Sequence, residues 1–207
     1  SLPTPKFNYL AVLRSLGQLW KSEPQVRGAT LTQAMLFASF SVLWTVLPFW
    51  LAHRYDYGAG ITGTLAALGL IGILCAPLAG SFSDRQGPFR MVVFGVILML
   101  LAWTVFWRWN SIVGMVVGIL LLDAGEQCVL IANQHTIYSL RPDARNRLNT
   151  LFMCVMFIGG ACGSLTATWL WETTHSWALI SSAGGGLVIM GMLIAVRRKY
   201  SGPYSGT

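Results

Sequence analysis

Two acidic residues, Asp123 and Glu126, interrupt an otherwise apolar stretch at residues 111–135. A spacing of three residues places both carboxylates on one face of a helix. A helix that begins near residue 111 would put Asp123 about 18 Å along its axis, at about 1.5 Å per residue. That depth is close to the middle of a bilayer, where a carboxylate is costly unless it binds a proton or a cation or lines a cavity. The pair is therefore a candidate proton or substrate site.

Three amide side chains extend the polar stripe, namely Gln127, Asn133 and Gln134. A stripe this polar cannot face lipid, so it must line a cavity or contact another helix. The chain offers no Lys or Arg at the depth of the two acids, which leaves two states open. In the first state, the acids bind protons, which would suit proton coupling. In the second state, they pair with a basic residue outside this chain, which would suit a structural lock or a cationic substrate. A polar network that only holds helices together is the third interpretation.

Other kinds of chemistry are not predicted. His135 lies nine residues from Glu126, and two and a half helical turns is a poor geometry for a shared metal ion. The four cysteines lie in apolar stretches without a CxxC pair, which favours a packing role; they are Cys75, Cys128, Cys154 and Cys162. The sequence has no HExxH or GxSxG motif, so we expect no enzymatic activity, no metal and no cofactor.

The elements that must position these residues are membrane-spanning helices. Of the 207 residues, 55% are hydrophobic and only 10% are charged, whereas soluble domains carry about 25% charged residues. Runs without Asp, Glu, Lys or Arg cover residues 28–53, 57–83, 91–107, 148–171 and 173–196. Each is close to the roughly 20 residues that cross a bilayer. Together with 111–135 they predict an all-α membrane protein with six transmembrane helices.

The charged loops predict the topology. Residues 1–27 would be a cytoplasmic linker compatible with a short interfacial helix, residues 28–199 the transmembrane domain, and residues 200–207 a cytoplasmic tail. Twelve of the 14 basic residues then lie on the cytoplasmic side, and only Arg54 and Arg108 lie outside. This asymmetry accounts for the net charge of +7 without nucleic acid. Seven tryptophans fall at the predicted outer ends, as interfacial residues do: Trp50, Trp103, Trp107, Trp109, Trp169, Trp171 and Trp177.

Two pairs of glycines predict close contacts between helices. Gly114 and Gly118 are four residues apart, as are Gly159 and Gly163. In membranes such pairs let two helix backbones approach closely. We therefore expect these four residues to act in packing rather than in chemistry.

The loop after the second predicted span carries a motif. Residues 80–90 read GSFSDRQGPFR, which is the pattern G-x-x-x-D-R-x-G-x-x-R. Its members are Gly80, Asp84, Arg85, Gly87 and Arg90. The pattern resembles the loop motif of the major facilitator superfamily, which lies between helices 2 and 3 and, in weaker form, between helices 8 and 9. Residues 147–164 are also similar to the eleventh helix of drug/proton-antiporter-like members from bacteria.

The resemblance covers almost the whole chain, as helices 7–12 of the family. It implies half of a major-facilitator-type fold, with two three-helix inverted repeats, in the inner (plasma) membrane of a bacterium. The implied function is secondary active transport, as proton-coupled efflux of a small molecule such as a drug or sugar. The implied partners are the lipid bilayer, H⁺, the substrate, and an N-terminal six-helix half or a second copy.

The resemblance also assigns roles to residues. Residues 111–135 become helix 10, one of the helices that line the family's central cavity. Asp84 would face a helix N-terminus of the other half, where a carboxylate meets the positive end of a helix dipole. Arg85 and Arg90 would pair locally or with lipid phosphates, so the motif would gate the cytoplasmic side. Phe89 stands where family members often have a second basic residue.

The sequence leaves one alternative function. Half a transporter has one wall of a cavity and an exposed polar stripe. Since the chain begins at Ser1 rather than at Met, we expect it to continue a longer protein. The alternative is a truncated or non-transporting six-helix remnant, or a protein that only assembles with others.

Overall fold

The structure is a computed structural model, and it describes residues 16–18, 20–56, 60, 63–65, 87–109, 111–140 and 144–201. Five long helices run through these residues: α1 Pro24–Tyr55, α2 Pro88–Arg108, α3 Ile112–Leu140, α4 Arg145–Thr174 and α5 Trp177–Ser201. All five are long and apolar enough to cross a membrane. The all-helical membrane fold predicted from the sequence is confirmed. Most of the predicted second span, at 57–83, lies outside the described residues.

Local sequence explains where two of these helices begin and end. Gly87 has a φ of 85°, a conformation that glycine adopts readily, and it directly precedes α2. Pro88 then occupies the first turn, where its missing N–H is not needed. Helix α1 ends at Tyr55. The next residue, Asp56, takes a left-handed conformation with a φ of 55°, and its N–H closes the helix by donating a hydrogen bond to the Ala52 carbonyl.

Contacts between helix ends show which ends of the helices lie together. At one end, the start of α1 meets the end of α5, where Arg198 lies beside Gly28. Lys199 Nζ lies 4.4 Å from the ring centre of Phe89, at the start of α2. We call this the basic end. At the opposite end, the rings of Trp50 and Trp177 are 4.7 Å apart; we call it the aromatic end.

Small residues set the distance between α1 and α4. A Cβ atom on Gly159 or Gly163 would collide with the backbone carbonyl oxygen of Ala34 or Ala38, respectively. Ala34 and Ala38 are themselves four residues apart, so two pairs of small residues face each other across the contact. The backbones can approach this closely because none of the four residues has a side chain beyond Cβ.

The contact between α2 and α3 also depends on glycine. A Cβ on Gly95 would lie 2.6 Å from the carbonyl oxygen of Gly125, and the reverse distance is 2.7 Å. Gly118 lies under the ring of Phe106. Gly114 instead packs against Trp109, in the turn between the two helices, so this glycine tightens a turn rather than a contact between distant helices.

The tryptophans divide between the core and the surface, a division that the sequence did not predict. Trp107, Trp109 and Trp169 are at least half exposed, as expected of interfacial residues. Four others are packed inside the bundle: Trp50, Trp103, Trp171 and Trp177. The indole N–H groups of two of them find partners there, since Trp177 donates to the Phe106 carbonyl at 2.8 Å and Trp103 to Ser39 Oγ at 2.7 Å.

Candidate functional site

Glu126 lies inside the bundle, where α3 packs against α1. Its side chain is 4% exposed and that of Gln33, on α1, is fully buried. Gln33 Nε2 donates a hydrogen bond to Glu126 Oε1 at 2.6 Å. Sequence reasoning missed Gln33 because a single amide in a long apolar helix does not show which helix it faces. The only available signal was its type, since an amide buried in a membrane helix needs a partner.

The same glutamine continues a chain of hydrogen bonds toward the basic end. Asn133 Nδ2 donates to Gln33 Oε1 at 3.1 Å, and Arg198 Nη1 donates to Asn133 Oδ1 at 3.0 Å. Arg198 comes from α5 and is 8% exposed. The sequence predicted no basic residue of this chain at the depth of the acids. Arg198 does not touch Glu126, but it reaches Glu126 through Asn133 and Gln33.

Asp123 has a different environment. The residue is 6% exposed, and neither of its carboxylate oxygens has a hydrogen-bond partner among the described residues. Glu126 Oε2 likewise has none there. The indole of Trp44, on α1, faces Asp123, and its N–H is also without a partner in the described part of the chain. Three of the four carboxylate oxygens are thus buried without a donor from the residues that the structure describes.

The predicted polar stripe splits into two neighbouring faces of α3. At about 100° per residue, Glu126 and Asn133 share one face, and Asp123 lies about 60° round the helix from Glu126. The first face is buried against α1 and α5. Gln127 and Gln134 lie on the side of Asp123 and are only partly buried. The structure therefore brings Glu126 and Asn133 together with Gln33, and leaves Gln127 and Gln134 outside that network.

The loop motif is only partly described. Gly80, Asp84 and Arg85 lie outside the described residues, so the predicted gating contact stays a prediction. Gly87 forms the turn into α2, and Arg90 is exposed in the first turn of that helix.

Residues that could hold a metal do not gather in the described part of the chain. No three His, Cys, Asp or Glu side chains there lie close enough to share an ion. Cys128 is buried, whereas Cys154 and Cys162 are exposed free thiols. Cys75 lies outside the described residues.

Comparisons with known proteins agree with this architecture. A family model described as Major Facilitator Superfamily matches residues 29–205. The uncharacterized transporter YgaY of Escherichia coli O157:H7 is 37% identical over 189 residues, which cover 90% of this chain and 48% of YgaY. SCO4007 of Streptomyces coelicolor, also named as a transporter, is 28% identical over 195 residues, which cover 90% of this chain and 44% of SCO4007.

A relative from a third bacterium extends the agreement. The uncharacterized MFS-type transporter YceJ of Bacillus subtilis is 24% identical over 182 residues, which cover 87% of this chain and 46% of YceJ. The chain spans about half the length of the curated relatives it matches. Helices that can span a membrane, the family match and the similar transporters lead to one conclusion: the chain belongs to the major facilitator superfamily of membrane transporters.

Proposed function

We propose that the chain is the C-terminal half of a proton-coupled secondary transporter, an antiporter that exports a small molecule such as a drug or sugar. One observation carries the proposal. Asp123 and Glu126 are buried near the middle of α3, a helix long and apolar enough to cross a membrane, and three of their four carboxylate oxygens have no donor among the described residues. Such a group in a membrane is stable only when it binds a proton or a cation.

The position of the acids suits a coupling role. Transporters of this architecture place substrate and ion sites near the bilayer midplane, and two bundles rock around that site. A carboxyl group that meets each side of the membrane in turn could carry H⁺ in one direction as substrate moves in the other. Gln127, Asn133 and Gln134 would complete the polar wall, with Gln127 and Gln134 on the partly open side of α3.

Proton coupling predicts that a pH gradient drives the flux. We expect the full-length protein in liposomes with an acidic interior to accumulate the fluorescent cation ethidium or radiolabelled methyl thiogalactoside. A gradient of two pH units stores about 2.7 kcal/mol per proton, enough for about hundredfold accumulation in a one-for-one exchange. Nigericin, which collapses the gradient, should return uptake to the level of liposomes without a gradient. Uptake that is equal with and without the gradient would identify facilitated diffusion and contradict the proposal.

The missing wall of the cavity implies a partner half. Large apolar side chains on α4 are 59% to 71% exposed and would face lipid or that half: Phe157, Ile158, Leu165 and Trp169. We expect a C-terminal tag at the native locus to reveal a band near twice 22.7 kDa on a denaturing blot of membranes. A band at 22.7 kDa itself would favour the remnant or assembly protein instead.

The membrane and topology are also part of the proposal. We place the protein in the inner membrane of a bacterium, with both termini cytoplasmic. The basic end supports this topology because it gathers Arg27, Arg90, Arg197, Arg198 and Lys199, whereas the aromatic end has Arg54 and Arg108. Basic residues concentrate on the cytoplasmic side of inner-membrane proteins.

A further inference from the structure

We infer that Glu126 is charge-paired with Arg198 through the amide side chains of Asn133 and Gln33, so that Arg198 positions the carboxylate from the basic end of the bundle. We call these four residues the relay. The sequence left two states open for the acids, a bound proton or a basic partner outside the chain. The relay is a different solution, because the counter-charge belongs to this chain and acts at a distance.

The direction of the hydrogen bonds supports this pairing. The guanidinium of Arg198 donates to Asn133 Oδ1 at 3.0 Å, Asn133 Nδ2 donates to Gln33 Oε1 at 3.1 Å, and Gln33 Nε2 donates to Glu126 Oε1 at 2.6 Å. Every donor therefore points from the cation toward the acid. Two amide dipoles aligned in this way are stabilised by positive charge at one end and by negative charge at the other.

Burial makes the pairing necessary. Gln33 and Asn133 are fully buried, and Glu126 and Arg198 are at most 8% exposed. A charge buried this deeply and left alone is strongly destabilising, whereas a charge that retains its partner is tolerated. Asn133 and Glu126 lie seven residues apart on α3, about 10 Å along the axis. Gln33 bridges this interval from α1.

The packing of the basic end leaves room for the arginine. A Cβ atom on Gly28 would lie 2.8 to 2.9 Å from three carbon atoms of the Arg198 side chain. The stem of Arg198 thus passes over a position on α1 where only glycine fits. Gly28 and Gln33 are on the same helix, so α1 supplies both the passage for the cation and the bridge to the acid.

The relay makes the two carboxylates unequal. Asp123 is the other charged group beside Glu126, and neither of its oxygens has a partner in the described part of the chain. Asp123 is then the carboxylate that remains open to a proton or a substrate. Glu126 is fixed in position by the hydrogen bond from Gln33 on α1. The charge of Glu126 is felt by Arg198 on α5, at the basic end, through Gln33 and Asn133. This functional meaning rests on the proposed transport role, whereas the pairing itself can be tested without a substrate.

The test uses the full-length protein and its stability in detergent. We expect Arg198→Met to lower the folded fraction after solubilisation at least about tenfold, because Glu126 becomes a buried charge without a counter-charge. Gln33→Met should have a similar effect, since it removes the donor to Glu126. The added change Glu126→Gln should restore Arg198→Met to within about threefold of the wild type, because neither buried charge remains. It should not restore Gln33→Met, because Arg198 then stays buried without its counter-charge.

Three variants separate the relay from general packing. Asp123→Asn neutralises an acid three residues away and should not restore Arg198→Met. Arg198→Lys keeps the charge and should retain most of the folded fraction. Arg197→Met removes the exposed neighbouring charge and should have little effect.

Clear outcomes would overturn the inference. Failure of Glu126→Gln to restore Arg198→Met, or equal restoration by Asp123→Asn, would show that Glu126 and Arg198 are not paired. Absence of folded protein for Arg198→Met alone is compatible with the inference only if the double variant folds. Because this readout needs no flux, a stable relay in a protein without pH-driven transport would refute the proposed function and leave the pairing standing.

Discussion

Asp123→Asn is expected to abolish pH-driven flux in the full-length transporter while the protein still reaches the membrane in normal amount. Asparagine has nearly the same shape as aspartate but cannot bind and release a proton at the pH of a cell. Trp44 is a described neighbour of this carboxylate, and no hydrogen bond to either Asp123 oxygen is formed among the described residues. Asparagine still presents an oxygen to that indole, so the substitution should leave the packing intact. The substitution should therefore abolish the flux without reducing the amount of folded protein.

Glu126→Gln is expected to abolish the flux as well, since it removes the second titratable group. The glutamine oxygen can still accept the hydrogen bond from Gln33. Because this variant leaves Arg198 buried without its counter-charge, its folded fraction should fall, and the flux is compared per folded protein. The measurement is uptake of ethidium or methyl thiogalactoside into liposomes with an acidic interior. Both variants should fall to about a hundredth of the wild-type rate or less, since a neutral side chain cannot couple to H⁺.

A matched control comes from the same chain. Glu172 is an exposed acid at the aromatic end of α4, and Glu172→Gln should keep wild-type flux. The control separates the loss of an acid in the membrane from the loss of net charge. Unchanged flux in both Asp123→Asn and Glu126→Gln would remove the assigned coupling role.

Gly163→Leu is expected to cause the largest loss of stability of any single change considered. The added side chain would meet the carbonyl of Ala38 on α1, where even a Cβ atom has no room. A backbone cannot yield as a flexible side chain does, so α1 and α4 must separate. Overpacking of a well-packed contact costs about 1–3 kcal/mol, and a clash with backbone is at the upper end or beyond. Gly159→Leu should act similarly through Ala34.

The experiment compares glycines of the same bundle. A Cβ at Gly186, on α5, would meet nothing within 4 Å, so Gly186→Leu should be tolerated. Thermal unfolding in detergent, together with the folded yield from membranes, would report both effects. Equal stability of Gly163→Leu and Gly186→Leu would mean that the close contact of α1 with α4 does not support the fold.

Local properties of the chain determined which segments cross the membrane. Five of the six predicted spans correspond to the helices of the structure, because hydropathy and length act within one segment. The burial of Asp123 and Glu126 followed from the same reasoning, since an acid inside an apolar helix must turn away from lipid. The glycine pair on α4 indicated a close helix contact for a similar reason, as only small residues permit one.

Only the tertiary structure decided which residues meet. Gln33 lies 93 positions from Glu126, and Arg198 lies 65 positions from Asn133. Whether such residues touch depends on how each helix is rotated about its axis when it packs, and hydropathy does not encode that rotation. Trp50 and Trp177 show the same limit, because an indole at the end of a helix suits both the interface and the core. The sequence predicted that the two carboxylates are buried inside a membrane helix bundle. The packing of α1, α3 and α5 decided that Glu126 is linked to Arg198 and that Asp123 has no hydrogen-bond partner among the described residues.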